Sequence, residues 1–180
     1  MELSIARFLD IPGIKDILKK PDEIEVVHDY ADHLSFTIGE TVGTKTWSQL
    51  VSIYEDFVVI ETTQNTTELD YNMMLVDYSG QKLINISGFD IVLAKEGEDP
   101  FIVFKKTEML KLEITKGVGM FGISTFHINV EESQLPKYAR NTYYVVDYHV
   151  KMQYPERWDF MCALSGAEDS NGNKIVRHFY

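Results

Sequence analysis

Tyr143-Tyr144-Val145-Val146-Asp147-Tyr148-His149-Val150-Lys151-Met152 reads as one β-strand with two unlike faces. Successive strand side chains point to opposite sides, so Tyr144, Val146, Tyr148, Val150 and Met152 form an apolar set. Tyr143, Val145, Asp147, His149 and Lys151 form the other, which carries either chemistry or water. From about Ile24 to Tyr180 the chain continues in this manner, one short strand after another, and the inward positions mix large apolar groups with a few ionisable ones. That mixture describes a cavity-bearing barrel or half-barrel better than it describes a catalytic signature.

Working outward, the strand signals fall at Ile24–Tyr30, Leu34–Ile38, Thr44–Ile53, Phe57–Thr63, Tyr71–Tyr78, Lys82–Ser87, Asp90–Ala94 and Phe101–Lys105. They continue at Met109–Thr115, Met120–Val130, Thr142–Met152, Trp158–Leu164 and Lys174–Phe179. Turn material separates them at Ser79-Gly80, at Glu96–Pro100 and at Asn171-Gly172, the clearest hairpin turn. The first 20 residues differ: Leu3, Ile5, Phe8 and Leu9 make one helical stripe and Ile14, Ile17 and Leu18 a second, divided by Pro12-Gly13 and closed by Pro21. Glu131–Leu135 is expected to form one helical turn before Pro136. No helix separates successive strands in this reading, which favours antiparallel pairing. The expected fold is mainly β: a single domain over 1–180, with a helical cap at 1–20 and an antiparallel lipocalin-like or related small barrel over 24–180.

The chain has 180 residues, 44% of them hydrophobic, enough for one core. Ten Tyr, ten Phe and two Trp supply bulky groups of the kind that line cores and pockets. Seventeen basic against 28 acidic residues leave a formal charge of -11, which repels nucleic acid and anionic membrane surfaces. The start lacks the pattern of a secretory signal, and Cys162 is the only cysteine, so no intrachain disulfide is expected and the cytoplasm is the expected compartment. On that basis the sequons Asn65-Thr66-Thr67 and Asn85-Ile86-Ser87 are read as chance.

Candidate chemistry centres on Asp147 and His149, expected on one strand face with Tyr143, where a carboxylate tunes an imidazole and a phenol polarises a carbonyl. His127 joins them if its strand pairs alongside, and Glu113 belongs to the same conjecture. For each the plainer reading is an exposed or structural polar residue. His28-Asp29-Tyr30-Ala31-Asp32-His33 is the densest ionisable cluster, but its spacing matches no metal-ligand pattern and it reads as a connection. Lys116–Gly122 lacks the ending of a phosphate loop and reads as a wide hairpin. Arg157 and Trp158 form either a rim beside a barrel opening or a connection packed over the core edge. Neither a cofactor nor a metal is expected.

Lys45-Thr46-Trp47-Ser48, Phe57–Thr63, Asn72–Tyr78 and Ile86–Asp90 resemble, in layout, the lipocalin-like barrels of the phenolic acid decarboxylase and MoaF type. The resemblance covers about a third of the chain. It implies a calycin-like barrel with a central pocket, and in the decarboxylases a Tyr pair, an Arg and a Glu act on a phenolic acid. Glu61 lies in the strand comparable to the one carrying the acidic residue, while the Tyr pair and Arg have no counterpart, so that chemistry is not carried over.

The expected function is to hold a small, largely apolar organic molecule in the barrel, as a cofactor-independent cyclase, isomerase or lyase. Asp147, His149, His127, Tyr143 and Glu61 are the acid-base candidates, and Trp47, Trp158, Arg157 and Tyr144 the ligand contacts. The alternatives are a non-catalytic carrier of the same ligand, or a solid-core module that binds a protein partner.

Overall fold

The computed structural model describes residues 4–18, 25–29, 33–42, 45–65, 69–94, 99–107, 113–118, 124–164 and 167–180; for Trp47 and His127 the backbone alone is described. The chain is mainly β with a few short helices and divides into two compact units, Met1–Ile84 and Asn85–Tyr180. Among the described residues no closed barrel forms.

The first unit opens with α1 (Ile5–Leu9), whose cap Ser4 accepts the Arg7 amide on its hydroxyl at 3.2 Å. Gly13, at φ 76°, then turns the chain into α2 (Ile14–Ile17), in a left-handed conformation that glycine adopts without a Cβ clash. The strands β1 (Glu25–Asp29), β2 (Leu34–Val42), β3 (Lys45–Ile53), β4 (Phe57–Asn65), β5 (Leu69–Asp77) and β6 (Lys82–Asn85) follow as an antiparallel meander in chain order. Register aligns apolar residues in rows across the strands: Ile53, Val58 and Val76 in one, Val51, Ile60 and Met74 in the next. Phe8, Ile11, Ile14 and Leu18 of the helical segment share one buried core with these rows and with Phe36 and Ile38 of β2. Phe8 meets Phe36 edge-on, with centroids 5.3 Å apart. The Gln49 amide adds a polar tie, donating to the Ile17 carbonyl and the Thr62 hydroxyl at 3.3 Å each. Each fully buried Phe or Ile contributes about 2–3 kcal/mol, so the helical segment is part of this unit's core.

The second unit contains β7 (Ile91–Ala94), β8 (Pro100–Phe104), β9 (Glu113–Val118), β10 (Ser124–Asn129), β11 (Thr142–Val146), α3 (Tyr148–Gln153), β12 (Phe160–Leu164), β13 (Ala167–Glu168), β14 (Lys174–Val176) and β15 (His178–Phe179). They form a four-stranded sheet in the order β13-β14-β7-β8, the ribbon β9-β10, and the set β11-β12-β15. Asn85 is the polar hub of this unit. Its amide nitrogen donates to the Phe89 and Phe104 carbonyls at 3.0 Å, while its oxygen accepts from the Ser87 amide and hydroxyl. Asn85 is completely buried and satisfied, so this sequon forms a folding network and offers no exposed acceptor for a glycan.

Three expectations need correction. The strand foreseen over Thr142–Met152 ends at Val146, because Asp147 caps a helix: its carboxylate accepts the His149 amide at 2.9 Å. β11 and β12 run parallel, as a crossover connection that contains α3 permits. β14 also pairs in parallel with β7, so the pairing is antiparallel only in part. The helical turn before Pro136 is present at Glu132–Gln134, and β9 extends through Val118 into the stretch read as a wide loop.

Candidate functional site

In the second unit, the connection 136–141 and the turn 154–159 are drawn together by Arg157. Its Nε and Nη2 donate to the two carboxylate oxygens of Asp159 at 2.7 and 2.6 Å, and Nη2 also donates to the Pro136 carbonyl at 3.0 Å. The guanidinium lies over the Phe160 ring at 4.0 Å. A planar fork suits this geometry, and a lysine would supply only one point of charge. The Asp159 hydrogen bond, ahead of the opposing effect of burial, holds the Arg157 pKa above its ordinary value.

This clamp leaves Trp158 facing outward at 59% exposure, with Tyr138 beside it at 55%. The Tyr138 and Trp158 rings are 5.0 Å apart and tilted by 58°, and Tyr143 meets Trp158 edge-on at 6.0 Å. Tyr144, next along β11, points the other way: it is buried and edge-on to Phe160 at 6.2 Å. Burial, then the charge of Asp159, raises its hydroxyl pKa. A half-exposed aromatic group therefore sits on a locked base.

Asp147 and His149 do meet, with Oδ1 and Nδ1 2.8 Å apart, but through the first turn of α3 and not along a strand face. The imidazole is 59% exposed. The thiol of Cys162 is buried, and burial, followed by the charge of Asp147, pushes its pKa up, the opposite of what an activated nucleophile needs.

The remaining candidates are spread out. Glu61 lies on β4 of the first unit, opposite Leu50 and Met73. Trp47 is on β3 opposite Glu40 and Gln64. The backbone of His127 on β10 pairs with Thr115 of β9, so the alignment beside Asp147 that was expected of its strand is not the pairing it makes. Glu113 lies exposed opposite Asn129. Of the cluster from His28 to His33, residues 30–32 lie outside the described residues, and the His33 ring stacks on Tyr54 at 5.4 Å. The structure thus brings together Tyr143, Trp158 and Arg157, and separately Asp147 and His149.

Tyr138, Asp159 and the Pro136 carbonyl were missed by the sequence reading. The Arg157-Trp158-Asp159 triplet, an arginine and a carboxylate flanking a tryptophan, was the available signal. Among the described residues no helix is long and apolar enough to cross a membrane, and no group of three or more His, Cys, Asp or Glu side chains is arranged to hold a metal. Comparison with protein-family models, with curated proteins and with solved structures returns no match.

Proposed function

We propose that this chain is a protein-interaction module that meets its partner through Tyr138, Tyr143 and Trp158. The observation that carries the reading is the exposed ring cluster on its Arg157–Asp159 base. Trp and Tyr are the side chains most enriched where interfaces gain their energy, and rings held before binding lose little entropy on contact. A photo-crosslinking residue at position 138 tests it. Protein adducts that vanish with Trp158→Ala are expected; adducts equal to those from a crosslinker at exposed Ala6 of the first unit would overturn the proposal.

A second reading keeps the acid-base enzyme or carrier with a ligand inside a lipocalin-like barrel. The Asp147–His149 contact at 2.8 Å and the antiparallel β1–β6 meander favour it. Native mass spectrometry of the purified chain separates the two readings. A stoichiometric small-molecule adduct supports the barrel ligand, and turnover lost in His149→Gln would make it an enzyme.

A further inference from the structure

The chemistry of the exposed cluster narrows the partner, and this inference rests on the interaction reading above. Trp158 and Tyr138 present apolar ring area, and Tyr143 adds an edge contact. Among the described residues the side chains of all three are engaged by ring contacts alone, which leaves the indole N–H and two hydroxyls available. An indole donates and never accepts, so the complementary segment offers carbonyl oxygens without needing its own amides paired. Proline-rich chain has that character: it lacks amide hydrogens at each proline, is already extended in the polyproline II conformation, and packs flat rings against aromatic faces.

Charge narrows the class further. At a formal -11 the chain repels a second copy of itself, a phosphate backbone and an acidic peptide, and attracts a basic one. Glu156 is exposed two residues before Trp158, and an arginine or lysine can also stack on the indole face. Exposed Lys137 and Arg140 beside Tyr138 oppose cations at that end, which favours basic residues on one flank of the segment only.

We infer that the Tyr138–Trp158–Tyr143 platform binds an extended, proline-rich segment of another protein that carries basic residues beside its prolines. The segment lays proline rings on Trp158 and Tyr138, accepts from the indole N–H on a backbone carbonyl, and sets its basic flank towards Glu156.

The test is fluorescence anisotropy of labelled synthetic peptides against the full chain at low and physiological salt. The probes are a hexaproline with two arginines on one flank, the same peptide with every proline replaced by alanine, and a hexaproline flanked by glutamates. Saturable binding of the first peptide is expected, at least about tenfold tighter than either of the others. Trp158→Ala removes it, and Trp158→Phe, which keeps a ring but loses the donor, weakens it several-fold. Thermal melts of both variants, expected to match the parent, keep a folding defect from imitating the result.

Equal binding of the alanine peptide, or binding unchanged by Trp158→Ala, overturns the proline inference. If no peptide binds while crosslinks from position 138 still depend on Trp158, the partner class is wrong and the interaction reading stands. If the crosslinks fail as well, both fall.

Discussion

Phe8 in the first unit and Trp158 in the second are both large aromatic groups next to sheet residues, yet Phe8 is wholly buried and Trp158 is 59% exposed. In the first unit a helical segment lies in the same core as the inward rows of the meander, so its apolar groups are satisfied within the chain. In the second, a salt-bridged turn holds rings outward, although the same turn buries Asp159 and Phe160. The contrast separates two uses of aromatic residues that composition merges. One kind makes a core; the other is available to a partner.

The comparison breaks most readily at Phe8. Phe8→Ala leaves a cavity against Phe36 and is expected to cost about 4 kcal/mol, read as a lowered denaturation midpoint by circular dichroism. A near-neutral result would mean that the helical segment is not integral to the first core. In the second unit, Asn85→Ala strips the Phe89 and Phe104 carbonyls of their donor and is expected to cost about 3 kcal/mol.

A matched pair sharpens the contrast. Asp77-Tyr78-Ser79-Gly80-Gln81 and Asp169-Ser170-Asn171-Gly172-Asn173 are similar turns: in each, an Asp carboxylate accepts backbone amides two and four residues on, and a glycine stands at positive φ, 84° and 79°. A Cβ at Gly80 would meet the Pro12 carbonyl oxygen at 2.6 Å, whereas one at Gly172 meets nothing within 4 Å. Gly172→Ala is expected to cost about 1 kcal/mol from its dihedral alone, and Gly80→Ala about 3 kcal/mol once the contact is added. Equal costs would show that the Pro12 approach contributes nothing.

Acid provides a smaller test in the second unit. Burial acts to raise the Asp90 pKa, but hydrogen bonds from the Lys106 amide and the Lys105 ammonium outweigh it and hold the carboxyl below its usual value. Its contribution is therefore present above the unfolded value of about 3.9 and is lost as pH falls through the folded one. Asp90→Asn is expected to flatten the stability loss below about pH 4, with no effect at neutral pH beyond loss of the pair. The smallest stability change, within about 0.5 kcal/mol, is expected for Trp158→Ala, the substitution that removes partner binding. A large loss of stability there would make Trp158 a core residue.

Much of the strand pattern was legible, because alternation and turn glycines are local properties. The helical start, the meander through β5 and the turns at Gly13, Ser79-Gly80 and Gly172 all follow from it. Residues 147–153 were misread because α3 is less than two turns long, too short for a helical period to stand out, and its apolar residues Tyr148, Val150 and Met152 also alternate in twos. The cap signal of Asp147 was there to be read. Tyr143 and Tyr144 were rightly assigned to opposite faces, but which face is covered depends on Phe160 and Trp158, which lie beyond α3 in the chain.

By itself, then, the sequence determined the β-rich character, the helical beginning, the acidic charge and the separation of Tyr143 from Tyr144, since each depends on residues adjacent in the chain. The tertiary structure alone decided that Asp147 caps a helix, that β11 and β12 run parallel, and that Arg157 holds Pro136 and Asp159. It likewise decided that Phe8 is core while Trp158 is surface. These depend on contacts between residues far apart in sequence, and a side chain's burial is a property of its neighbours in space, which no local pattern encodes.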